Sequence, residues 1–120
     1  MKIETFEDIL AWQKAQDLVL LNYKEFKNLR DFSFKDQLLR ACVSIMNNIA
    51  EGFERGSASE FHRFLTIAKA SSAELRSQLY VALDVGYMSQ ETFSQLMKSS
   101  EEVSNIIGGL RVSVGKRKTN

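Results

Sequence analysis

The chain has 120 residues, the size of one domain, with 44% hydrophobic side chains, 16 basic against 15 acidic groups and a formal net charge of +1. That balance supplies no polyanion-binding surface by charge alone, and a single cysteine, Cys42, makes no internal disulfide. No stretch approaches the roughly 20 apolar residues of a membrane span, and the amino terminus, MKIETFEDIL, has no apolar run of signal-peptide length, so the expected setting is a soluble, cytoplasmic protein without a membrane partner.

There is no proline and there are only 6 glycines, a scarcity that favours long, unbroken helices, because proline breaks a helix interior and glycine weakens it. No alternating strand pattern bounded by turn residues occurs. The first helix is expected over about 6–28. Thr5 and Asp8 resemble a capping pair, and Ile9, Trp12, Gln16, Val19, Tyr23 and Phe26 recur at helical spacing, Gln16 being the polar exception. NLRDFS breaks the pattern. Ser33 with Asp36 then marks a second start, and Leu38, Cys42, Ile45, Ile49 and Gly52 give a stripe over about 34–55.

Gly56 and Ser57 form a corner, a stop glycine followed by an N-cap serine, and Ser57 with Glu60 makes a capping box. The third helix, about 58–85, carries Phe61, Leu65, Ala68, Ser72, Leu75, Leu79 and Ala82 on one face. Gly86 ends it and Ser89 caps the fourth, about 90–113, with Phe93, Leu96, Ser100, Val103, Ile107, Leu110 and Val114. Gly108 and Gly109 fall inside that stripe, which means either a close approach to a neighbour or fraying towards the end. Four such helices joined by short turns predict an all-α, antiparallel up-down-up-down bundle over 1–115, with a basic tail at 116–120.

Charge is even along the chain. Residues 1–31 carry 5 basic and 6 acidic groups, residues 32–56 and 57–88 carry 3 of each, and residues 89–120 carry 5 and 3. The excess sits in GKRKTN. On a helical wheel the second helix is apolar well beyond one stripe, since Leu39, Val43, Met46 and Ala50 widen its face. Tyr80, Val81 and Leu83 flank the face of the third. Arcs this wide predict a second partner, here another copy of the chain.

Gln37, Arg40, Ser44, Asn48, Glu51 and Arg55 line one edge of the second helix, with Arg40–Ser44, Ser44–Asn48 and Glu51–Arg55 as i,i+4 neighbours. The preferred interpretation is a hydrogen-bonded network at a helix or subunit boundary, where half-buried amides and carboxylates must find partners. The alternative is a ligand or nucleic-acid surface built around Arg40 and Arg55. Elsewhere the chemistry is thin. One histidine, His62, and one cysteine do not make a metal set. No serine is paired with a positioned base, and no glycine-rich loop is present to hold a phosphate. No catalytic residue, metal ligand or cofactor is therefore expected.

The stretch QLLRACVSIMNNIAEGFERGSASEFHRFLTIAKASSAEL, from Gln37 to Leu75, with Trp12, Ala15 and Leu18 before it and QLYVALDVGYMS from Gln78 after it, resembles the bacterial four-helix bundle, 23S rRNA-intervening sequence protein family. The matching positions run from Gln37 through Arg40-Ala41, Ser44-Ile45, Asn48-Ile49-Ala50-Glu51-Gly52, Arg55, Ser57, Glu60-Phe61, Phe64-Leu65 and Ile67-Ala68 to Ser71 and Glu74-Leu75. Ala70 and Ser77 depart from the small residues common there, but remain small. The resemblance implies a four-helix bundle assembling into a ring, commonly a homopentamer, with no known catalytic activity. A related branch, the accessory variability protein of retroelements, binds a reverse transcriptase, which makes RNA or DNA contact an implied option.

The function expected is thus a non-enzymatic homo-oligomeric module with a structural or accessory role. The runner-up is a nucleic-acid-binding accessory protein using Arg40, Arg55, Arg63, Lys69, Lys116, Arg117 and Lys118. A small enzyme comes third and would need a cavity lined by Asn48, Glu51 and Arg55.

Overall fold

The apolar runs fold into four helices preceded by a single 3-10 turn at Phe6–Asp8. They are α1 (Leu10–Phe26), α2 (Phe32–Glu54), α3 (Ala58–Asp84) and α4 (Gln90–Arg117). The computed structural model describes residues 2–117, and no strand occurs among them.

Helix directions follow from which residues meet. Along α2 and α3, Ser44 meets Ser71 and Gly52 meets Phe61 and Phe64, so one number falls as the other rises. Between α3 and α4, Gly115 sits against His62, Arg111 donates to the Thr66 hydroxyl, and Tyr80 packs on Phe93. Asn22 of α1 reaches Cys42 of α2. Each helix packs against its chain neighbours and α1 closes the set against α4, while the backbones of the diagonal pairs stay farther apart across one shared core. This is an antiparallel up-down-up-down bundle, 49 × 23 × 20 Å.

The faces expected for α2 and α3 are the buried ones. Leu38, Cys42, Ile45, Ile49 and Gly52 are all inside, as are all seven stripe residues of α3. In α4 the stripe is likewise inside except for half-buried Leu110, and the helix runs on through Gly108 and Gly109 to Arg117. Lys116 and Arg117 are therefore its last turn and not a separate tail, and Lys118 lies outside the described residues. A Cβ on Gly108 would meet only the Lys69 ammonium end, and one on Gly109 would meet nothing within 4 Å. Neither a backbone close approach nor fraying accounts for this pair, and nothing in the structure explains Gly109.

Helix α1 departs from the expected stripe. Its core face is Ala11, Ala15, Leu18, Val19, Asn22 and Phe26, while Gln16 and Tyr23 are exposed and Trp12 is half-buried against Phe6. The Thr5–Asp8 signal is real but local. The Asp8 carboxylate accepts from the Glu4 and Thr5 amides and caps the 3-10 turn, and α1 starts only at Leu10.

The start of α2 is also earlier than Ser33 with Asp36 suggests. Its N-cap is Asp31, whose carboxylate accepts from the Phe34 amide at 3.2 Å and from the Tyr87 hydroxyl at 2.6 Å. At the far end of α3, Gly86 takes φ +83°, a value glycine tolerates, and the Tyr87 amide donates back to the Ala82 carbonyl. The Asp31–Tyr87 bond thus ties the α1–α2 loop to the α3–α4 loop. It holds the Asp31 carboxyl below 3.8, the Phe34 amide adding to the effect, and the Tyr87 phenol above 10.0. The paired state needs ionised Asp31 and neutral Tyr87. Tyr87→Phe should therefore destabilise the bundle most between these two values, and the gap from wild type should close as pH falls through the Asp31 value or rises through the Tyr87 value. Urea unfolding midpoints across pH, with a constant gap, would refute this.

Candidate functional site: the seam between α2 and α3

The polar edge of α2 faces outward along the groove where α3 packs, and the structure divides it into three parts. The central part is a half-buried hydroxyl–amide cluster. The Asn48 amide donates to the Ser44 carbonyl at 2.8 Å and to the Ser44 hydroxyl at 2.9 Å, and that hydroxyl pairs with the Ser71 hydroxyl of α3 at 2.9 Å. Three polar side chains are satisfied at the cost of little volume, which lets α2 and α3 approach closely.

The second part is the corner where α2 ends. Gly52 has no room for a side chain: an added Cβ would lie 2.5 Å from the Phe64 Cβ and 3.2 Å from Cδ1 of Phe61. The ring of Phe64 then becomes a platform. The guanidinium groups of Arg55 and Arg63 lie 5.0 and 4.6 Å from its centroid. Arg55 pairs with Glu51 at 3.3 Å and approaches Glu60 at 3.9 Å, and Glu60 accepts from Arg63 at 2.8 Å. The Arg63 hydrogen bond is the main cause holding the Glu60 carboxyl below its ordinary value, with the Arg63 and Arg55 charges adding to it. Glu60 therefore does not close the expected capping box. The Ser57 hydroxyl accepts from the Glu60 amide, but the Glu60 carboxylate turns to the arginines.

The third part is Gln37 and Arg40, both exposed and without a hydrogen bond or ion pair to any described residue. Arg40 does not meet Ser44 despite the i,i+4 spacing. Helical steps place Glu74 and Gln78 of α3 alongside them, and the Gln78 Oε1 atom is buried with no hydrogen-bond partner. The six stripe residues are thus brought to one seam but not into one network.

Of the basic residues singled out in the sequence, Arg55 and Arg63 are paired at the corner. Lys69 lies along α4, its ammonium donating to the Ser104 carbonyl at 3.4 Å. Lys116 and Arg117 lie at the same bundle end as the corner, and Arg40 stands apart, mid-helix. Sequence patterning misses the α3 half of the seam, Glu60, Phe64 and Ser71, because no spacing rule links residues 27 positions apart such as Ser44 and Ser71. The motif match, which includes all three, is the signal that contains them.

A shallow groove between α1 and α2 is lined by Tyr23, Leu39, Arg40, Val43, Ser44 and Asn47, and a larger cavity opens at the bundle end. Asn48, Glu51 and Arg55 line neither. Among the described residues no group of His, Cys, Asp and Glu could hold a metal ion. Burial pushes the Cys42 thiol up to about 12, so it stays protonated in the core. No helix among the described residues is long and apolar enough to cross a membrane.

Comparison with known proteins fits this architecture. The chain is similar to a crystal structure of a protein of unknown function from the S23 ribosomal protein family of Bacteroides thetaiotaomicron VPI-5482, at 22% identity and a TM-score of 0.79, over 85% of this chain and 98% of that one. At that identity the likeness speaks for the fold. No curated protein matches. The model of the 23S rRNA-intervening sequence protein family matches residues 7–109, which takes in the turn, α1, α2, α3 and most of α4 with the whole α2–α3 seam, and the chain belongs to that family.

Proposed function

We propose that this protein is a non-enzymatic scaffold of the cytoplasm that assembles with copies of itself, as a ring of five, through the α2–α3 seam. The observation that carries this proposal is the unfinished edge of that seam. Gln37 and Arg40 are unpaired beside a buried, unpartnered Gln78 oxygen, an arrangement that a second polar surface would complete. Apolar residues flank it. Ile67 and Val81, on the α2 side of α3 by helical steps, are 37% and 46% exposed. A rim of polar groups around apolar side chains is the composition of a protein–protein interface. The number five rests on the resemblance alone.

Light scattering after gel filtration should give about five times the 13.7 kDa chain mass. Arg40→Glu, an exposed change that leaves the bundle core untouched, should lower that mass while circular dichroism still reports the helices. A wild-type monomer at micromolar concentration would overturn the proposal. The nucleic-acid role would replace it if labelled RNA bound at low salt and lost binding on replacing Lys116 and Arg117 with glutamine. The pairing of Arg55 and Arg63 with Glu51 and Glu60 leaves less free positive charge at the corner than the sequence suggests.

A further inference from the structure

The bundle end at the α2–α3 corner contains a cavity of about 540 Å³, inside the range of about 300–1,000 Å³ typical of small-molecule pockets. All the layers around it contribute apolar wall: Ile3 and Ile9 from the amino-terminal segment, Phe53 from α2, Phe61 from α3 and Leu110 from α4. Gly56, Ser57 and Ala58 form the rest, so the first turn of α3 borders the space. The charged lining residue is Arg117, which makes no hydrogen bond or ion pair with a described residue. Phe53 and Leu110 are only half-buried and Ile3 is 44% exposed, so apolar area remains there for a ligand to cover.

These features select a ligand. Water against the wall of Phe53, Phe61 and Leu110 has few partners and is readily displaced by hydrocarbon. An unneutralised guanidinium favours a carboxylate or phosphate, with which it can make paired, charge-assisted bonds. The first amides of α3 lack i−4 carbonyls and add positive potential on the same side. We infer that this cavity binds a small amphipathic anion, its head on Arg117 and a medium-length aliphatic or aryl body against Phe53, Phe61 and Leu110. The site is separate from the α2–α3 seam and stands whether or not the chain forms a ring.

The test is an amide chemical-shift titration of the full chain with decanoate, decyl phosphate and decanol. Saturable shifts should centre on Gly56, Ser57, Ala58 and Leu110 for the two anions, and decanol should bind about tenfold more weakly, the size of one charge-assisted contact. The stronger of the two anions identifies the head group. Arg117→Gln, at the last described turn of α4, should weaken both anions by about the same factor and leave decanol unchanged. Ala58→Phe should fill the hollow and weaken all three. Shifts that do not saturate, shifts spread over the bundle surface, equal binding of decanol and decanoate, or Arg117→Gln without effect would each overturn the inference. Because Arg117→Gln alters no core contact, the inference remains testable if Ala58→Phe fails to fold.

Discussion

Gly52→Ala is expected to destabilise the bundle by about 3 kcal/mol, the upper part of the range for forcing an extra methyl into a packed core. In an exposed helix the same change would stabilise by about 1 kcal/mol, since alanine is the better helix former. Geometry reverses the sign. The added Cβ would stand 2.5 Å from the Phe64 Cβ. That atom is fixed to the α3 backbone, so no rotamer change relieves the clash and the two helices must part. Parting them opens the Ser44–Ser71 contact and moves the ring on which Arg55 and Arg63 lie. Phe64→Leu should not rescue the variant, because leucine keeps the Cβ. Urea unfolding followed by circular dichroism measures the effect, and a variant as stable as wild type would show that the helices are not held this close.

The second large effect has the opposite direction. Asn22→Leu is expected to stabilise by about 1–2 kcal/mol, the penalty of a buried polar atom without a partner. Asn22 is fully buried on the core face of α1. Its amide donates to the Leu18 carbonyl at 2.9 Å, but its Oδ1 has no hydrogen-bond partner. Cys42 lies beside it, and a thiol is a weak donor that behaves as a small hydrophobe. Leucine has a similar reach and no polar atom to strand. Asn22→Ala, by contrast, should lower stability by leaving a void. A fall in the unfolding midpoint of Asn22→Leu would show that the Cys42 thiol satisfies the carbonyl after all.

Asn22 also illustrates why α1 was the least legible helix. Hydrophobic periodicity follows the largest apolar residues, and in α1 these are Trp12 and Tyr23. They sit on the flank towards α2, while the face that packs inward sets the small Ala11 and Ala15 and the polar Asn22 beside Leu18, Val19 and Phe26. In α2 and α3 the large residues and the core face coincide, so the apolar stripes mark the buried sides. Caps were legible in kind but not always in place. Ser57 and Ser89 cap as their positions suggest, with their hydroxyls accepting from the Glu60 and Thr92 amides. Asp31 displaces Ser33 because Tyr87, 56 residues away, holds its carboxylate in position.

The seam was legible as an edge but not as a set of contacts. Helical spacing aligned Gln37, Arg40, Ser44, Asn48, Glu51 and Arg55 on α2, yet their partners come from α3. Pairing of Arg55 depends on Glu60 and Phe64, and that of Ser44 on Ser71. Only the packing of the two helices separates the satisfied residues from Gln37 and Arg40.

The neighbour-by-neighbour order of the helices has a kinetic consequence. The α2–α3 corner joins residues a few positions apart, so its loop closes at small entropic cost and its contacts at Gly52, Phe61 and Phe64 can form early. The α1–α4 pairing encloses nearly the entire chain and is the most expensive closure. A bundle wired this way has mostly local contacts and should fold fast. Its α2–α3 hairpin, the half that carries the seam, would then be assembled before the first and last helices meet.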